Sequence, residues 1–255
     1  MDAAAIMTAL RTAQAQARKS GEIFTTPNPL QECGLDNVEC GVCHNTGYIA
    51  KVYPDGSLRA EKCVCMAQRV SLRNLERSGL KDMINRYTFD GYIADTAHRR
   101  KVKAAAKAFC DTDSGWFYIS GKSGSGKTHI CTAICSRLME QGKAVRYMLW
   151  RDASAELKGL LTDAEEYQDR IRKLKTVPVL YIDDFLKGGH SEADMRLAFE
   201  ILNSRYNDSR LRTVISSELS LFEILNLDEA VGGRIFERSK GFVLEAPAEN
   251  VRLAK

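Results

Sequence analysis

The chain has 255 residues, 44% of them hydrophobic, with 37 Lys and Arg against 33 Asp and Glu. That much apolar material excludes a disordered or fibrous chain and suffices for one large core with a small satellite. The net charge of +4 excludes a chain-wide polyelectrolyte, and no apolar run reaches the length that crosses a bilayer, so the sequence predicts a cytoplasmic protein with no membrane association.

Residues 1–32 read as a helix and a loop. Ile6, Leu10 and Ala13 fall at helical spacing, and TTPNPL follows. Residues 33–66 read as a cysteine-rich module. Cys40 and Cys43 form a CxxC pair, YIAKVYPDGSLRAEK reads as strand, Pro-Asp-Gly turn and strand, and Cys63 and Cys65 follow on the return. A hairpin brings its two ends together, which sets four sulfurs within reach of one ion. With no export signal, the eight cysteines point to metal ligation rather than disulfides. Four thiolates suit a closed tetrahedral Zn²⁺ site, whose task is to fold a module too small for a core of its own. Cys33 and His44 are reserve ligands, while Cys110, Cys131 and Cys135 read as small apolar residues on helices. Residues 67–112 read as a basic helical linker. From Met66 to Cys110 there are ten Lys or Arg against four Asp or Glu, which predicts salt-sensitive affinity for single-stranded DNA.

In residues 113–255 the apolar runs WFYIS, AVRYMLW, VPVLYIDDF, RTVISSE and GFVLEA are nearly continuous, as in strands buried on both faces of a parallel sheet. Amphipathic stretches between them predict helical crossovers and a three-layer α/β domain. GKSGSGKT, residues Gly121, Lys122, Ser123, Gly124, Ser125, Gly126, Lys127 and Thr128, matches the phosphate-loop pattern GxxxxGK[ST] between a strand and a helix. The glycines let successive N–H groups face a phosphate, Lys127 reaches the β and γ phosphates of ATP, and Thr128 offers its hydroxyl to Mg²⁺. VPVLYIDDFL ends a strand in two acids. Adjacent carboxylates repel unless a cation uses them, so Asp183 is expected to hold Mg²⁺ and Asp184 to orient the attacking water. In RTVISSE, Ser217 is the expected γ-phosphate sensor; a helix cap for LSLFEIL is the alternative use of this strand end.

The order of phosphate loop, LYIDDF, VISSELS and GGRIFERS resembles the AAA+ helicase loaders of the bacterial DnaC/DnaI type, with the IstB transposition helper as a close relative. General AAA+ proteins carry Asp-Glu where this chain has Asp183-Asp184. The resemblance implies an ATPase that binds a replicative hexameric helicase and helps to place it on single-stranded DNA, self-associating through the ATPase domain and hydrolysing ATP at a subunit interface. It implies that Arg234, with Arg238 as rival, is presented to the next subunit's nucleotide, that Arg252 is a trailing sensor, and that Tyr87 or Phe89 lines the adenine pocket. It also implies that the zinc module and its neighbouring helices contact the helicase. An IstB-like transposition ATPase, or a single-stranded-DNA-binding module that uses ATP as a switch, remain alternatives.

Overall fold

In the computed structural model the described residues are 40–53, 55–67, 69 and 81–247; the expected N-terminal helix, Cys33 and Arg252 lie outside them. The chain divides into two compact units, Met1–Arg73 and Asn74–Lys255.

The first unit is built on an antiparallel hairpin of β1 (Tyr48–Val52) and β2 (Leu58–Lys62), in register from Tyr48 opposite Lys62 to Val52 opposite Leu58. At the turn the Gly56 N–H donates to the Tyr53 carbonyl at 2.8 Å, and the Asp55 carboxylate accepts from the Ser57 N–H at 2.8 Å. These are the local bonds that Asp and Gly bring to a tight turn.

The second unit holds a five-stranded parallel sheet: β3 (Trp116–Ser120), β4 (Val145–Leu149), β5 (Val179–Phe185), β6 (Arg212–Ser217) and β7 (Val243–Glu245), in the order β4-β5-β6-β3-β7. Its helices are α1 (Lys81–Arg86), α2 (Ala97–Cys110), α3 (Lys127–Glu140), α4 (Trp150–Gly159), α5 (Ala164–Thr176), α6 (Glu192–Tyr206), α7 (Leu221–Leu227) and α8 (Glu229–Arg238). Strands β3 and β6 are buried at every position, which is why their sequences do not alternate. One face of the sheet, with Phe117, Ile119, Tyr181 and Val214, packs on Val102, Ala106 and Phe109 of α2 and on Ile130, Ile134 and Leu138 of α3. The other, with Trp116, Tyr118, Leu180 and Ile215, packs on the helices from α4 to α8.

Helix α2 is therefore not part of a linker. Its Val102, Ala106 and Phe109 stripe is at most 1% exposed, and its basic residues occupy the remaining turns. Helix α3 stops where Gly142 turns left-handed (φ 77°). There the Gly142 N–H donates to Met139 O and the Lys143 N–H to Leu138 O, the crossed pair of bonds that closes a helix C-terminus.

Arg205 ties the layers on the second face together. Fully buried on α6, it donates to the carbonyls of Leu174 (2.9 Å), Val177 (2.9 Å) and Arg212 (2.6 Å) and to the Thr213 hydroxyl (3.0 Å). Burial pulls its guanidinium down to about 9. Replacement by an apolar residue would strand these acceptors, at about 1–3 kcal/mol each. Arg205→Met is expected to destabilise this unit by about 3 kcal/mol or more, read as a lowered midpoint in urea unfolding followed by the tryptophan fluorescence of Trp116 and Trp150.

Candidate nucleotide site and metal centre

Between the end of β3 and the start of α3, the loop of residues 121–126 turns through left-handed conformations at Gly121 (φ 142°), Gly124 (φ 79°) and Gly126 (φ 92°). A Cβ at Gly121 would lie 3.0 Å from that of Ala246, so the loop also needs glycine for closeness to the segment after β7. Gly126 caps α3 without a side-chain hydrogen bond, leaving the helix N-terminus available to an anion. Lys127 folds over the loop, its Nζ donating to Gly121 O (2.6 Å) and Lys122 O (2.9 Å). Burial lowers its pKa, against the pull of Asp184, Glu218 and Asp183. The buried Ser125 hydroxyl has no hydrogen-bond partner among the described residues. A phosphate group fits this cradle of open N–H groups, one cation and one unsatisfied hydroxyl.

Strand β6 lies between β3 and β5, and residues of β4, β5 and β6 meet at Asp183. This carboxylate is 4% exposed. Around it stand the hydroxyls of Thr128 (3.3 and 3.4 Å to its two oxygens), Tyr147 (3.3 Å) and Ser216, together with the Asp184 N–H (3.2 Å). Burial, reinforced by Asp183, raises the Tyr147 phenol well above its usual range, so it remains a donor. The paired Thr128 hydroxyl and Asp183 carboxylate are the oxygen donors that suit Mg²⁺.

The β5–β6 ladder slips between Ile182 and Phe185, and Asp184 sits in the slip with a left-handed backbone (φ 51°). Such a bulge re-aims a side chain. Here the Asp184 carboxylate lines a cavity of about 360 Å³ with Gly124, Lys127, Thr128 and Tyr87. Lys187, also on its wall, contacts both Asp184 (3.0 Å) and Glu218 (2.9 Å).

Tyr87 stacks on His129 at 4.8 Å between centroids, and Tyr92 meets the same ring edge-on at 5.3 Å. His129 Nε2–H donates to Thr88 O at 2.9 Å. Burial lowers the His129 pKa, which suits the neutral ring this bond requires. Of the two aromatic residues expected at an adenine, Tyr87 lines this cavity. Phe89 instead packs against the core of α2 and α3, under Lys107.

The hydroxyl at the carboxylates belongs to Ser216, whereas that of Ser217, the expected sensor, donates to Phe185 O (2.8 Å) and accepts from the Leu219 N–H (3.1 Å). Adjacent strand residues point to opposite faces. Ser217 serves the loop through its backbone, its carbonyl accepting from the Gly121 N–H at 3.1 Å. The cap of α7 is Ser220, in a reciprocal box with Glu223. Arg234 lies over the rings of Phe199 (4.6 Å) and Tyr206 (5.5 Å) and donates to Asn203 Oδ1 and Ala230 O; Arg238 donates to Ser209 O. Neither lines the cavity.

Sequence reasoning passed over Tyr147, His129, Ser216 and Lys187. The signals available were a Lys-Gly-Gly run two residues after the paired acids and a histidine directly after the GKT triplet.

In the first unit, Cys40, Cys43, Cys63 and Cys65 place their sulfurs within 4.8 Å of one another. Cys40 Sγ lies 3.7 Å from Cys63 Sγ and Cys43 Sγ 3.5 Å from Cys65 Sγ. These separations are far beyond a disulfide bond and match the edge of about 3.8 Å expected for a tetrahedron of sulfurs around zinc. Left-handed His44 (φ 48°), Asn45 (φ 68°) and Gly47 (φ 77°) fold the knuckle so that the Gly47 N–H donates to Cys43 Sγ at 3.3 Å. Asn45 Oδ1 accepts from the Cys40 N–H at 2.8 Å and from Arg69 at 3.2 Å. Burial works to raise the Cys40 thiol, but hydrogen bonds from the backbone of Cys43 and Val42 outweigh it and bring it to about 7. Burial holds Cys65 up at about 12. His44 is exposed and is not a member of the cluster.

The parallel sheet, with a strand inserted between the phosphate-loop strand and the acidic strand, defines a P-loop ATPase fold of the AAA+ class. The chain belongs to the family of IstB-like ATP binding proteins, whose model matches residues 53–238. It is similar to YqaM of Bacillus subtilis (strain 168), at 28% identity over 76% of this chain and 66% of that one. It is also similar to the replicative helicase loader DnaC of Buchnera aphidicola (subsp. Acyrthosiphon pisum, strain APS), at 24% identity over 83% of this chain and 87% of that one. A crystal structure of the DnaC helicase loader superposes with a TM-score of 0.56 at 18% identity, covering 66% of this chain and 99% of that one.

The sulfur geometry generates a direct test. Protein purified without chelator is expected to carry about one equivalent of zinc per chain by elemental analysis. Cys43→Ser should lose it and unfold the hairpin, seen as new protease cleavage between residues 40 and 65, while the second unit stays protected. Metal-free parent protein with an intact hairpin would count against a zinc site.

Proposed function

We propose that this chain is an ATP-dependent loader that places a replicative hexameric helicase on single-stranded DNA. The observation that carries the nucleotide half of this reading is the meeting of Thr128, Asp183 and Lys127 at the glycine loop, with Thr128 Oγ1 at 3.3 Å from Asp183. The similarity to a protein named as a replicative helicase loader, over 83% of this chain, supports the partner half.

In this reading ATP lies in the cavity with its base toward Tyr87 and His129, and its phosphates at the N–H groups of Gly124, Gly126, Lys127 and Thr128. Lys127 leaves the carbonyls of Gly121 and Lys122 to reach the β and γ phosphates. Thr128 and Asp183 hold Mg²⁺, which when bound neutralises phosphate charge and fixes the orientation of the phosphates. Asp184 accepts a hydrogen bond from the attacking water, and the Ser216 hydroxyl keeps Asp183 in place. Arg234 acts in trans, a role consistent with its absence from the cavity of its own chain. Zinc on the four cysteines braces the hairpin as a partner-binding module. The exposed Lys101 and Lys107 of α2 supply phosphate contacts for single-stranded DNA. The family description as IstB-like favours a second reading, in which the same ATPase serves a transposase.

Two experiments test these halves. Lys127→Ala is expected to lose ATP binding by about a hundredfold, since the charged donor in the cradle is gone. Asp184→Asn should bind ATP like the parent and fail to turn it over; equal loss of binding in both variants would remove Asp184 from the role of water-orienting acid. For the partner, adding the protein with ATP to the replicative helicase of its own cell should increase helicase bound to circular single-stranded DNA. No increase, with a transposase captured in place of the helicase, would transfer the reading to transposition.

A further inference from the structure

Two side-chain cations besides the loop lysine line this cavity: Arg99, which is paired with Asp95, and Lys187, which no step above uses. It follows the acidic strand in the turn Leu186–Gly188, where its N–H donates to Asp184 O at 3.0 Å. Its ammonium joins the ends of two neighbouring strands, 3.0 Å from Asp184 near the end of β5 and 2.9 Å from Glu218 just after β6. A carboxylate held by an ammonium is a poor acceptor for water. In the nucleotide-free arrangement, one oxygen of the acid assigned to the attacking water, Asp184 Oδ2, thus carries an ammonium, which makes the carboxylate a weaker acceptor.

The restraint is easily released. The three side chains are 27–38% exposed, and ion pairs in that setting hold weakly. Gly188 and Gly189 follow with left-handed backbones (φ 90° and 142°), and a Cβ added at Gly189 would meet nothing within 4 Å, so the turn has space to move. Charge supplies the direction. A triphosphate brings its negative charge to an ammonium that two carboxylates share, so its terminal phosphate competes with Asp184 and Glu218 for Lys187. Lys187 and Gly124, at the loop apex, border the same cavity. Charge-assisted hydrogen bonds to phosphate oxygen are stronger than a solvated ion pair.

We propose that Lys187 distinguishes nucleoside triphosphate from diphosphate within its own subunit: it exchanges Asp184 and Glu218 for the terminal phosphate and thereby frees the Asp184 carboxylate. With a diphosphate bound, Lys187 stays on the two acids and Asp184 stays the weaker acceptor. Arg234 and Arg238, engaged with Asn203 and Ser209, are not needed for this exchange. The inference rests on the proposed binding of ATP in this cavity.

The test is calorimetric titration of the full chain, with Mg²⁺, by ADP and by the β,γ-methylene analogue of ATP. Lys187→Met is expected to lose about tenfold or more in affinity for the triphosphate analogue, the effect of one charged donor, with ADP affinity unchanged. Lys187→Arg should retain the triphosphate preference. Glu218→Gln, which removes a competitor for the ammonium, should tighten the triphosphate analogue alone, a gain that a structural brace cannot give. Equal weakening of both nucleotides in Lys187→Met, or no change in either, would overturn the assignment while leaving the nucleotide site standing. A parent protein that binds neither nucleotide would overturn both.

Discussion

A carboxylate at the end of a fully buried strand must be given hydrogen-bond donors or a cation, and at Asp183 this requirement draws four elements together. Thr128 comes from the start of α3, Tyr147 from β4 and Ser216 from β6, while the Asp184 N–H comes from the slipped ladder of β5 itself. Each donor is useful only if its element stands at the right level, so one buried charge ties together three strands and the start of a helix. The polar cleft at the carboxyl edge of the sheet is the outcome, and such edges are where open α/β sheets take ligands.

The hairpin unit solves the opposite problem. Among its described residues the buried cluster is sulfur: Cys43, Cys63 and Cys65 pack with Cys40 and Ile49. Without an ion this cluster would be a modest hydrophobic contact. With one it becomes the dominant cohesive term of the unit, and the N–H of Gly47 on Cys43 and the Asn45 bridge between Cys40 and Arg69 orient the ligands.

What the sequence makes legible follows the same physics. The phosphate loop and the paired acids occupy contiguous positions whose chemistry needs those residue types, so they can be read without a structure. The parallel sheet is legible because burial on both faces removes polar alternation. Nothing local in the sequence marks the slip at Ile182–Phe185, which decides that the Ser216 hydroxyl, and not that of Ser217, meets Asp183. The surroundings of Arg234 belong to α6, 30 or so positions earlier in the chain, beyond the reach of any window. The apolar stripe Val102, Ala106 and Phe109 was hidden by the charge count around it, and α2 consequently read as linker. Tyr87 and Phe89 differ by two positions, and only the fold of the turn at Thr88, tied down by His129, separates cavity from core.

The pairing of β3 has a consequence for how the chain is made. Its neighbours are β6, where Trp116 faces Thr213, and β7, where Tyr118 faces Val243. Both arrive about a hundred residues later, which at ribosomal speed is a delay of roughly 5 to 20 s. Throughout that interval the strand carrying the phosphate loop has been made while its partners are still untranslated. The apolar run WFYIS must therefore be kept from wrong pairings until almost the whole sheet exists, whereas the cysteine hairpin closes within its own 26 positions from Cys40 to Cys65 and can finish while the rest is being translated.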